Sequence, residues 1–107
     1  MKVHVDFSVY TDEDGSFGGV SGEIEVITLP QIGDSVSFMF SSKGIVIDPE
    51  VGFRGMLDVT SRIILANHED QKLMLTLSDV VVKTRADALQ LVKYFEDAFG
   101  LFADIYE

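Results

Sequence analysis

The chain contains no cysteine and no tryptophan, only two prolines, and eight basic residues against eighteen acidic ones. Each shortage excludes something. Without cysteine there can be no disulfide, no thiolate zinc site and no thiol nucleophile. Small secreted domains usually lean on disulfide bridges, so a bridge-free chain is expected in a reducing cytoplasm. Without tryptophan there is no indole platform for a sugar ring. The scarcity of Lys and Arg argues against nucleic acid and anionic lipid, which are held by bases that displace counterions. No apolar run approaches the roughly 18 residues that a membrane-spanning helix needs, and Met1 to Asp6 lack the apolar core of a signal peptide.

What is present is enough for one hydrophobic core. The 107 residues are 47% hydrophobic and 24% charged, the balance of an ordinary globular domain rather than a disordered tail. No linker, repeat or low-complexity tract divides them, so residues 1–107 are expected to form a single domain. The formal net charge of −10 would steer a basic partner toward the chain.

Apolar spacing gives the elements. Val3, Val5, Phe7 and Val9 alternate with His4, Asp6, Ser8 and Tyr10, the period of a half-buried strand. Residues 11–16 form a turn cluster, and Val20, Ile24 and Val26 then alternate with Ser21, Glu23 and Glu25. The glycines at 15, 18, 19 and 22 suggest a bulge or sharp coiling in that second strand. Further strands are expected over 35–40, with Val36, Phe38 and Phe40 on one face, over 45–47, over 53–66 and over 72–83. The run Val80-Val81-Val82 reads as strand buried on both sides. Thr84-Arg85-Ala86-Asp87 resembles a capping box, and Ala88, Leu91, Val92, Phe95, Phe99 and Phe102 share one helical stripe. Gly100 either ends that helix or interrupts it before the C-terminus. All strand connections are short, which favours antiparallel neighbours.

The expected fold is therefore α+β: a curved antiparallel β-sheet or partly open barrel of five to six strands within 1–83, with one C-terminal α-helix from about 85 to the C-terminus.

Candidate chemistry is sparse. His4 and Asp6 share a strand face, and with His68 or Glu69 they could assemble a nitrogen/oxygen metal site, but no ligand spacing supports one. Asp12-Glu13-Asp14-Gly15 has the oxygen-rich start of a calcium loop without the rest of its pattern, and a hairpin turn explains it better. Glu23 and Glu25 have the spacing of a glycosidase carboxylate pair but sit on a face expected to be solvated. No serine has a nucleophile context, and no glycine run forms a phosphate loop. No catalytic residue, cofactor or metal is assigned, and the chain is expected not to be an enzyme.

Two features point to a partner. Asp6, Glu23 and Glu25 form an acidic face on neighbouring strands, with the acidic turn at 12–14 nearby. The helix stripe, widened by Tyr94, Ala98, Leu101 and Ile105, exceeds the roughly 100° that covers one sheet, which suggests a dimer seam through Phe102. The leading expectation is a non-enzymatic protein-binding or self-associating domain, a homo-oligomer or an inhibitor of a basic partner. Its gross character is similar to that of bacterial immunity proteins that plug a toxin's basic cleft, although no motif carries that resemblance. The alternatives are an apolar-ligand site between sheet and helix, built from Phe38, Phe40, Leu75 and Phe95, and a metal or carboxylate enzyme using His4, Asp6, Glu23 or Glu25.

Overall fold

A computed structural model describes residues 1–67, 69 and 73–106. Its strands are β1 (Lys2–Thr11), β2 (Gly15–Glu25), β3 (Ser35–Ser37), β4 (Met56–Ile64), β5 (Leu73–Leu77), β6 (Val80–Val82) and β7 (Phe102–Ile105), with one α-helix, α1 (Arg85–Phe99), and a short 3-10 helix at Pro49–Val51. They form a seven-stranded sheet in the order β3-β4-β5-β1-β2-β7, with β6 also paired to β1. The fold is α+β, and the sheet does not close into a barrel.

The sheet is mixed rather than antiparallel throughout. Strand β1 runs antiparallel to β2 but parallel to β5 and β6. Sequential strands do pair antiparallel in β1–β2, β3–β4 and β4–β5, but not every connection is short, since residues 38–55 join β3 to β4. The neighbour that completes β1, however, comes from the far end of the chain. Strands β5 and β6 follow one line along β1, broken at Ser78 and Asp79. His4 is opposite Met74, whereas Val9 is opposite Val80, so one extra residue is accommodated at the break. The Asp79 carboxylate fills the gap by accepting from the Ser8 N–H at 3.2 Å.

Register decides which side chains enter the core. Val3, Val5, Phe7 and Val9 are buried as their alternation requires. Val80 and Val82 are buried too, but Val81 lies opposite Tyr10 and is exposed, so the three-valine run is one-sided. In β4 the alternation fails after Val59, where a bulge shifts the register. Ile63 then lies opposite Met74 and is exposed, although its spacing from Leu57 and Val59 places it inward. Residues 45–47 form no strand, and the third strand stops at Ser37.

Helix α1 starts where its cap signal lies. The Thr84 hydroxyl accepts from the Asp87 N–H at 3.1 Å, and the Glu13 carboxylate accepts from the Arg85 N–H at 3.1 Å. The Arg85 guanidinium lies 5.1 Å from the centre of the Phe17 ring. The helix is shorter than its stripe suggests, ending at Phe99 instead of running to the C-terminus. Gly100 adopts a left-handed φ of 69°, and its N–H donates to the Glu96 carbonyl at 3.0 Å. The chain then returns to the sheet as edge strand β7. Two glycines of β2 permit that approach: a Cβ on Gly18 would lie 2.5 Å from the Asp104 carbonyl oxygen, and one on Gly22 would lie 2.9 Å from Leu101.

Between sheet and helix the core is aromatic. Phe95 packs at 5.0 Å from Phe7, 5.3 Å from Phe38 and 5.4 Å from Phe53, ring centre to ring centre. These edge-on arrangements bring the positive rim of one ring to the negative face of another. The Tyr94 hydroxyl is buried and donates to the Phe38 carbonyl.

Candidate functional site

The four residues expected to meet a partner lie on one surface, the sheet face opposite α1. Asp6, Glu23, Glu25 and Phe102 are all exposed there. Ser21 stands between Asp6 on β1 and Phe102 on β7, so these two lie one strand apart on either side of it.

The acids are not stacked against each other, as a continuous acidic face would require. Glu25 is paired with Lys2, Glu23 with His4 and Asp6 with Ser21. Each carboxylate therefore faces a base, an imidazole or a hydroxyl directly across the strand, which removes the direct-pair repulsion. Glu25 also approaches the Met1 amino group at 3.4 Å. The acidic turn is likewise committed in part, because the Glu13 carboxylate holds the first turn of α1.

Phe102 belongs to a different element than its helical spacing implies. It is 68% exposed on β7 and not part of a helix surface. The arc that made α1 look too wide is covered from within the chain: Tyr94, Ala98 and Leu101 are all buried. The excess width therefore gives no ground for a helix-mediated seam.

Among the described residues, no three His, Asp or Glu side chains gather where they could hold a metal ion. The candidate ligand His68 lies outside the described residues. No helix among the described residues is long and apolar enough to cross a membrane.

Of the residues proposed for an apolar ligand, Phe38, Leu75 and Phe95 are part of the filled core, whereas Phe40 is 83% exposed. The space for an occupant lies beside that core, and two of the four, Phe38 and Phe40, border it. A groove of about 750 Å³ opens between the C-terminal half of β2, strand β3 and the end of α1. Its apolar lining includes Ile24, Val26, Val36, Phe38 and Phe99, and Ile27 and Phe40 stand exposed at its margin. Glu23, Glu25 and Asp34 also line it, with Lys43 as the single base among the described residues. The groove exists because β7 pairs with β2 only from Gly18 to Ser21, while β3 pairs only with β4. The sheet curves but leaves these stretches unjoined.

Sequence reasoning named Phe38 and Phe40 but missed that β2 and β3 wall this groove, because those walls come from segments with no local relation. One signal was available. Phe40 follows the alternation of Val36 and Phe38, yet Ser41-Ser42-Lys43-Gly44 ends the segment directly after it, leaving a large ring at a turn. Compared with protein-family models, curated proteins and solved structures, the chain has no match.

Proposed function

We propose that this domain is a non-enzymatic protein-binding module whose site is the groove between β2 and β3, and that its partner is basic. The observation carrying this reading is the composition of the groove: an apolar floor, exposed Ile27 and Phe40 at the margin, and three acids against one base in the lining. An exposed apolar patch rimmed by polar groups is the usual mark of an interaction surface. Acids at the rim add long-range attraction for a basic partner. An inhibitor covering a basic cleft is one form such a module can take.

A second reading shares the groove. Its volume falls in the range of about 300–1,000 Å³ typical of small-molecule sites, so an apolar ligand would fit. The acids separate the two, since a neutral or anionic apolar ligand gains nothing from them.

The test is a set of NMR titrations with a lysine-valine peptide, a glutamate-valine peptide of equal length, and dodecanoate. The lysine peptide is expected to shift the signals of Ile27, Val36 and Phe40. Its affinity should fall as salt shortens the screening length from about 10 Å at 0.1 M to about 3 Å at 1 M. Saturation by dodecanoate with no response to the lysine peptide would establish the small-ligand reading instead. No response to any of the three would remove the groove as a site.

A further inference from the structure

The hydrogen-bond alternation of β3 leaves part of its backbone facing the groove. In an antiparallel pair, opposing residues alternate between those that exchange backbone bonds and those whose N–H and C=O point outward. Phe38 donates its N–H to the Gly55 carbonyl at 2.7 Å, and the Val59 N–H donates to the Asp34 carbonyl at 2.8 Å. The bonded pairs are therefore 34/59, 36/57 and 38/55, in step with the pairing of Val36 and Leu57. Ser35 and Ser37 are the alternate residues, and their backbone groups point away from β4 toward the groove.

The opposite wall has the same character. Met1 and Val26 exchange backbone bonds at 2.7 and 2.8 Å, which fixes the bonded pairs of β1 and β2 at every second residue from there. By that alternation the backbone groups of Glu25 face away from β1. Strand β7, which takes up that side of β2 farther along, pairs only as far as Ser21. Two stretches of strand edge thus border one groove with an apolar floor.

We infer that the occupant is an extended segment of a basic partner protein, added to β3 as a strand, with apolar and basic residues alternating along it. This inference rests on the groove being the binding site. An added strand presents successive side chains to opposite faces. One set would meet Ile24, Val36 and Phe99 on the floor, and the other would pass the carboxylates of Glu23, Glu25 and Asp34 at the rim. Charge selects the partner over a second copy of this chain. Two copies joined edge to edge at β3 would each carry a net charge of −10 and would bring their acidic rims together. The serines leave the edge open, since neither side chain blocks the approach of another backbone as proline or an inward-pointing charge would.

The experiment uses the whole chain and two capped octapeptides of identical composition, one alternating lysine and valine, the other with four lysines followed by four valines. Binding is followed by NMR, and hydrogen exchange is read at the Ser35 and Ser37 amides. The alternating peptide is expected to bind at least tenfold more tightly than its block isomer and to slow exchange at both amides at least tenfold. Equal affinity for the two isomers, with signals of Ile27 and Phe40 shifting but the serine amides unprotected, overturns strand addition and leaves the groove reading intact. Absence of any response at Ile27, Val36 and Phe40 to either peptide overturns both.

Discussion

Strand β1 has ten residues and partners along both edges; strand β3 has three residues and a partner along one. The difference runs through everything packed on them. Over β1 the helix seats Leu91, Val92 and Phe95, and the aromatic rings interlock. Around β3 the chain runs irregularly from residue 26 to 34 and again from 38 to 48, leaving Ile27, Ile32, Met39 and Phe40 exposed. The half around β1 packs Phe7 and Phe95 into a filled core, although Val81, Leu89 and Phe102 stay exposed, whereas the irregular segments around β3 leave Ile27 and Phe40 exposed beside the groove. Surface apolar residues scattered singly need no explanation, but Ile27 and Phe40 at the margin of one groove do.

The comparison breaks most visibly if the closed half tolerates truncation. Phe95→Ala removes the ring that contacts Phe7, Phe38 and Phe53 and should cost about 3–5 kcal/mol, read from chemical denaturation. A loss below 1 kcal/mol would mean the aromatic cluster is not the keystone described above.

Tyr94 links the two halves, because its hydroxyl reaches from α1 to the Phe38 carbonyl just beyond β3. Tyr94→Phe leaves that buried carbonyl without its donor and should cost about 1–3 kcal/mol. Burial also pushes the Tyr94 phenol above its ordinary range. The fold therefore favours the protonated form, so this contribution is full below about pH 10 and is lost as pH rises through the raised value. Denaturation from pH 8 to 11 should show the wild type weakening at the alkaline end and the variant weakening less.

The smallest effect is expected in the open half. Phe40→Ser changes a ring that is 83% exposed and should alter stability by no more than about 0.5 kcal/mol while weakening binding of the lysine-valine peptide. A large stability loss would make Phe40 part of the fold, and an unchanged affinity would move the site away from it.

The same contrast separates what the sequence could show from what it could not. Local patterns were legible: the alternation of Val3 to Val9, the register irregularity opposite the glycine-rich start of β2, the cap at Thr84 and the buried face of α1 all stand where their spacing puts them. Nonlocal pairing was not. Nothing in the spacing of β1 tells that its second edge will be filled by residues 74–76 and 80–82 running parallel. The segment after Gly100 was ambiguous for a specific reason. Phe102 extends the helical stripe from Phe95 and Phe99, and Phe102, Ala103, Asp104 and Ile105 are also compatible with a short strand. Only the left-handed turn at Gly100 decides between them. The acidic surface was legible as a set of residues, but which side chains stand opposite its carboxylates depended on register. The groove, formed where β7 stops short of the end of β2, left even less trace.

The parallel pairing of β1 also sets how this chain must fold. The β1–β2 hairpin is local and can close within microseconds. The other edge of β1 waits for the segment that ends in β6, and the Glu13 contact that helps start α1 spans 72 residues. Closing loops of that length costs entropy before the contacts compensate for it, which slows folding relative to a helical bundle of equal size. Until those later residues dock, the future centre of the sheet is an open apolar edge. The interval of greatest aggregation risk therefore lies on the way to the native state, in a strand that ends as the best protected of all.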